Sequence, residues 1–263
     1  MRFIKILIVF ILFVSCEKVS VDANTKIIGH AAMGLNSSSS IYANNSMEAI
    51  KLALSFSGCD GIELDLQLDN TGQLWLYHDE FLSSYTNSNG CINGMESSAL
   101  SEVYYQTIHH EKLVKFDLEL IKLLAEKTIF LDLRHLNPCT LQYIDVQLIK
   151  SALENLGIDE KDNFICVTNR LELLNALTDN FTVFFATDNA TYGLQILTDY
   201  PTCGGLVIRN ASITASEVAA IQLVGKEVAI FEVRSPKGTK AAFRKSPDYL
   251  MTDELRTALQ IAN

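Results

Sequence analysis

The chain has 263 residues, 48% hydrophobic and 20% charged, with 21 Lys+Arg against 31 Asp+Glu for a formal charge of −10. This length and composition suit one α/β domain and exclude disordered, collagen-like and disulfide-scaffold classes. The acidic balance, without a basic cluster, excludes a nucleic-acid partner, because neutralising phosphates takes grouped Lys and Arg.

The first segment, residues 1–15, reads as an export signal. Arg2 and Lys5 precede an apolar run from Ile6 to Val14 that is shorter than the roughly 20 residues a bilayer span requires. Val14-Ser15-Cys16 resembles the lipobox of bacterial lipoproteins, which implies lipidation of Cys16 and residues 16–25 as a polar tether. The expected location is the bacterial cell envelope, anchored to a membrane by that lipid on the periplasmic side or at the cell surface. Loss of Arg2 and Lys5 takes the formal charge from −10 to −12. Five cysteines follow Cys16, in no zinc-ligand spacing; Cys59 and Cys166 border strand-like runs and read as buried apolar residues, and no disulfide pairing can be assigned.

From residue 26 onward β-rich runs alternate with helical ones. The predicted strands are Lys26–His30, Gly61–Leu68, Leu74–His78, Thr128–Arg134, Phe164–Thr168, Thr182–Ala186, Gly205–Arg209 and Glu227–Val233. Helix-period segments lie near 46–56, 117–126, 141–156, 170–178, 191–198, 215–224 and 254–262, the first with Asn45 as its cap and Glu48 completing a capping box. Alternation of this kind predicts a parallel sheet. No glycine-rich phosphate fingerprint follows the first strand, so a closed (β/α)8 TIM barrel over 26–263 is preferred to an open nucleotide-binding sheet. Residues 79–115 carry turn chemistry and read as an insertion after the third strand, on the face where barrel active sites are built.

Polar residues gather at four strand ends. In Gly61–Leu68 alternation puts Ile62, Leu64, Leu66 and Leu68 on one face and Glu63, Asp65 and Gln67 on the other. Two inward carboxylates about 7 Å apart along a strand call for compensation, which a hard cation such as Mg2+ or Ca2+ would provide; a solvated acidic edge strand is the alternative. Asp132 repeats the inward placement as a third oxygen ligand, and Arg134 is placed for an anion or for a structural pair with an acid. His30 and His78 end the first and third predicted strands, where imidazoles titrating near neutrality can act as general base and general acid. His109 and His110 are expected on the insertion's surface, and His135 at the rim.

Ile28-Gly-His30, Asn45-Ser-Met-Glu-Ala49, Asp60-Gly-Ile-Glu-Leu-Asp-Leu-Gln-Leu68, Leu76-Tyr-His-Asp79 and Pro247–Asp253, in this order and spacing, resemble the glycerophosphodiester phosphodiesterase family of PLC-like phosphodiesterases. The resemblance implies a barrel, one bound divalent cation, and hydrolysis of a small glycerophosphodiester to a phosphomonoester and an alcohol. By position, His30 and His78 become the catalytic pair and Glu63, Asp65 and Asp132 the metal ligands, Asp132 standing where the family has Glu. Arg134 stands where a basic residue approaches the phosphate, Asn45 matches the asparagine of a Glu-Asn pair, and Phe231 falls where an aromatic residue lines the pocket, so all three are expected to bind substrate. Three departures are evident: Ala31 replaces an arginine, Ala32 a glycine and Asn44 a glutamate. They leave two alternatives, an envelope binding protein without turnover and a phosphodiesterase for another lipid or glycan headgroup.

Overall fold

The computed structural model describes residues 24–35, 40–158 and 163–263. The predicted signal, Cys16 and nearly all of the tether lie outside the described residues.

Eight strands, β1 (Lys26–Gly29), β2 (Gly61–Leu68), β3 (Thr128–Leu133), β4 (Phe164–Thr168), β5 (Thr182–Thr187), β6 (Gly205–Arg209), β7 (Glu227–Val233) and β8 (Tyr249–Thr252), pair in parallel in chain order. Pairing of β1 with both β8 and β2 closes the ring into the predicted barrel. Each strand is followed by a helix: α1 (Met47–Ser55), α2 (Leu118–Leu124), α3 (Val146–Glu154), α4 (Leu171–Leu177), α5 (Ala190–Asp199), α6 (Ala215–Leu223), α7 (Pro236–Phe243) and α8 (Leu255–Ala262). None is long and apolar enough to cross a membrane.

Strand alternation divides the core in two. Ile62, Leu64, Leu66, Leu131 and Leu133 pack outward under the helices, while Ile28, Phe130, Val167, Phe184, Val207, Tyr249 and Met251 fill the barrel. Phe130, Phe184 and Tyr249 meet edge to face, with centroids 5.0 to 6.0 Å apart. All eight residues of β2 are buried, which removes the acidic-edge alternative.

Three expectations are corrected. The predicted third strand is not a stave of the barrel: Leu74–Leu76 pairs antiparallel with the end of β2 and with Val114–Lys115. Only residues 69–73 separate it from β2, with Gly72 at φ +86°, enough for a hairpin but far short of a parallel crossover. The insertion therefore grows from β2, and Trp75, Tyr77, Leu82, Ile92, Leu100, Val103, Tyr105 and Leu113 give it a core of its own. The eighth stave is instead Tyr249–Thr252, preceded by α7, whose Ser235 cap and first-turn proline went unread. Third, Ser46 caps α1 by accepting from the Ala49 N–H; Asn45, at φ +58°, points elsewhere. Cys91 and Cys139 form a disulfide that ties the insertion to the segment after β3, while Cys59, Cys166 and Cys203 are free and buried.

Candidate active site

A cavity of about 600 Å³ opens at the carboxyl ends of the staves, lined by His30, Glu63, His78, Asp132 and Arg134 among others. The β2–β3 register explains how its acids meet. Asp65 lies directly beside Asp132 on the neighbouring strand, and Glu63 is two residues back on the same inward face. One ligand oxygen from each of Glu63, Asp65 and Asp132 lies within 4.8 Å of the others, the only such metal-capable cluster among the described residues.

Glu63 and Asp65 are almost fully buried, whereas Asp132 is partly open. Burial and the charge of Asp65 push Glu63 well up, against the pull of His30. Burial opposes ionisation of Asp65 too, but Arg134 and His78 charges and hydrogen bonds from Arg134 and Asn45 hold it below the usual range. Burial raises Asp132 despite Arg134 beside it. Three acids of which two resist ionising form an oxygen-only donor set with uncompensated charge, and a hard divalent cation fits it. Arg134 meets part of that charge, donating through Nε to Asp65 Oδ1 at 3.1 Å and pairing through Nη2 with Asp132 Oδ2 at 3.2 Å.

Asn45, expected to touch substrate, is fully buried and does not line the cavity. Its amide donates to Asp65 Oδ2 at 2.8 Å and its carbonyl accepts from the Asp65 N–H at 3.0 Å, locking that side chain. The loop after β1 is equally tight. A Cβ on Gly29 would lie 2.0 Å from the Ala32 carbonyl oxygen, and Ala31 and Ala32 take left-handed conformations at φ +45° and +71°. That turn aims the Ala31 N–H at Glu63 Oε2, 2.7 Å away.

The two histidines are not at equivalent strand ends, yet both reach the cavity. His30 follows β1, with Nδ1 2.7 Å from Asp253 Oδ1 and Nε2 3.8 Å from Glu63 Oε2. Burial alone would lower its pKa, but the Asp253 bond and the Glu63, Asp253 and Asp65 charges push it up to about 9. His78 follows the antiparallel strand instead. Its Nδ1 lies 2.6 Å from Asp79 Oδ1, and Gln67 of β2 holds its loop by donating to the Tyr77 and Asp79 carbonyls at 2.8 and 2.7 Å. His135 does line the rim, stacked on Tyr143, and His109 and His110 are exposed. Phe231 lines the cavity edge-on to His30, centroids 6.5 Å apart.

Sequence reasoning missed Asp253, Asp79 and Gln67 as supports, and Arg209 and Arg234, which also line the cavity. Asp79 follows His78 directly, a signal that was available. Asp253 closes the Pro247–Asp253 segment of the resemblance, but at a separation of 223 residues nothing in the spacing pairs it with His30.

The model of the glycerophosphoryl diester phosphodiesterase family matches residues 36–192. A glycerophosphodiester phosphodiesterase of Bacillus altitudinis is 26% identical over 249 residues, covering 90% of this chain and 98% of its own. Among solved structures, an Oleispira antarctica phosphodiesterase in complex with the product sn-glycerol-3-phosphate superposes with a TM-score of 0.72 at 17% identity, over 90% of this chain and 96% of its own. A glycerophosphodiester phosphodiesterase from Agrobacterium tumefaciens gives 0.69 at 20% identity, over 90% and 98%.

Proposed function

The chain belongs to the glycerophosphoryl diester phosphodiesterase family, which places it among the phosphoric diester hydrolases, and from this we propose that it cleaves a glycerophosphodiester with a divalent cation and a histidine pair. The observation that carries the proposal is the convergence of Glu63, Asp65 and Asp132 on one point, beside a cavity lined by Glu63, Asp132, His30 and His78.

Glu63, Asp65 and Asp132 would hold Mg2+ or Ca2+, whose chemistry is to neutralise charge on the phosphate's non-bridging oxygens. Arg134, free of the metal role, presents its guanidinium to the same anion. His30 keeps its proton at neutral pH because Asp253 accepts from Nδ1, so Nε2–H is the donor to the departing alkoxide. Asp79, 2.6 Å from His78 Nδ1, orients the second imidazole, which this reading assigns as the base that takes the nucleophile's proton.

The test uses purified protein with glycerophosphocholine, glycerophosphoinositol and bis(p-nitrophenyl) phosphate, in Mg2+, Ca2+ or EDTA. Cleavage that requires metal and is lost in His30→Ala and His78→Ala supports the proposal; cleavage unaffected by all three sinks it. A second reading, binding without turnover, is favoured by Ala31 and Asn44 in place of charged residues, and metal binding with no cleavage of any diester would select it. We further propose that the N-terminus anchors the enzyme to the cell envelope through lipidated Cys16, for which incorporation of labelled palmitate, lost in Cys16→Ala, is the check.

A further inference from the structure

Across the ring from the acid-bearing β2 and β3 stand β6 and β7, whose ends carry charged residues that the chemistry above leaves unused. Arg209 ends β6 and Arg234 follows β7, and both line the cavity. Between them β7 slips register against β8 from Ile230 to Val233, and Glu232 adopts φ +62°. Such bulges re-aim side chains at barrel rims, and a left-handed non-glycine residue persists only where its surroundings hold it. Here the two oxygens of Glu232 bridge the two arginines: Oε2 lies 2.7 Å from Arg209 Nη1 and Oε1 3.3 Å from Arg234 Nη1. Arg209 Nε also donates to Asp188 Oδ1 at 2.7 Å.

We propose that Arg209, Arg234 and Asp188, which line the cavity, form a subsite for a polyol portion of the diester, with Glu232 bridging the two guanidiniums; the inference rests on the phosphodiesterase reading. A guanidinium has five N–H donors, and each of these two keeps N–H groups beyond those its carboxylates take. Donors and carboxylate acceptors side by side suit vicinal hydroxyls, each of which both accepts and donates. A quaternary ammonium is poorly served, because the Arg209 guanidinium lies 5.1 Å from the Phe231 ring centroid and takes the aromatic face such a cation requires. Ala31 supplies no guanidinium on the β1 side, so the cavity's arginines are Arg134 beside the acids and Arg209 and Arg234 across from them.

The experiment compares kcat/KM for glycerophosphoinositol, glycerophosphoglycerol and glycerophosphocholine with that for bis(p-nitrophenyl) phosphate, which has no hydroxyl, in wild type, Arg209→Ala and Arg209→Lys. Loss of one polar contact to a substrate hydroxyl lowers a selectivity ratio by about tenfold or more. A fall confined to the inositol and glycerol diesters places the released alcohol in the subsite. A fall shared by all three glycerophosphodiesters places their common glycerol there. Equal effects on hydroxylated and hydroxyl-free substrates overturn the proposal. Calorimetry on wild type with glycerol 3-phosphate and methyl phosphate separates this from the catalytic reading. If no diester is cleaved but glycerol 3-phosphate binds about tenfold tighter, the hydrolase fails and the subsite stands; equal binding removes the subsite.

Discussion

Asp253 shows how much one remote residue can set. It is 1% exposed and accepts from His30 Nδ1, from the Leu35 N–H at 2.9 Å and from Arg234 Nε at 3.2 Å. Asp253→Asn keeps its shape and removes the charge that helps hold the His30 proton. The His30 pKa then falls, and the alkaline limb of the kcat/KM profile moves to lower pH. Since acid–base catalysis contributes about 10²–10⁴-fold, kcat/KM at neutral pH drops by up to about 10²-fold; a pH–rate profile with an unmoved limb refutes this role. Ala32 is a different case. At φ +71° its Cβ opposes a turn that the Ala31–Glu63 bond requires. Ala32→Gly relieves that conflict, less the added entropy of the unfolded chain, for a gain of about 0.5–1 kcal/mol. Melting in EDTA measures it, and a lower Tm disproves the strain. At this scale the inward acids and both histidines were legible, because period-two alternation fixes their face. Asn45 was legible as important but not as to why: the cap one residue later and its bonds to Asp65 depend on a left-handed backbone that spacing does not reveal.

The elements were read well where composition and period agree, and less well where the chain is short. Seven of the eight staves fall on predicted runs; the eighth, Tyr249–Thr252, is four residues long and carries no period. Leu74–Leu76 reads as a stave in the sequence because an apolar triplet looks alike in parallel and antiparallel pairing, although the short link with Gly72 favours a hairpin. The insertion reaches the site through that hairpin, which delivers His78, and is braced at its far side by Cys91–Cys139. The bridge links residues 48 apart. Its chain-entropy contribution for such a loop is roughly 4 kcal/mol as an upper figure. Paired Cys91→Ser and Cys139→Ser changes therefore lower Tm, and limited proteolysis first cuts the insertion or residues 135–145. The barrel's hydrogen-bonded staves do not depend on that bridge, so Asp65 and Asp132 remain adjacent and metal binding persists; loss of metal binding would refute this division of labour.

Over the whole molecule, the site is where folding and proton binding are most tightly linked. His30 is raised from 6.5 to about 9, and Glu63 is raised from 4.5 to about 8, so the folded chain holds protons that the unfolded one releases. Stability from such groups is complete below the unfolded pKa and disappears as pH rises through the folded one. Asp65 and Asp253, whose pKa values are lowered, work the other way, but they lose stability only as pH falls through the acid range and do not compete above neutrality. In EDTA the protein should accordingly lose Tm steadily from about pH 4.5, where Glu63 of the unfolded chain begins to ionise, to about pH 9. A divalent cation reverses this trend. Ligands to such an ion bind as carboxylates, so a cation held by these acids would displace the Glu63 proton and its affinity would grow as pH rises. A ligand that binds only the folded state adds RT ln(1 + [L]/Kd), about 2.7 kcal/mol at a hundredfold excess over Kd. The Tm increment given by Mg2+ or Ca2+ should therefore be larger at pH 8.5 than at pH 6.5, and small at both in Glu63→Gln, which leaves the cluster one charged ligand short. An increment independent of pH, or one unchanged in Glu63→Gln, would mean that the cation binds somewhere other than these three acids.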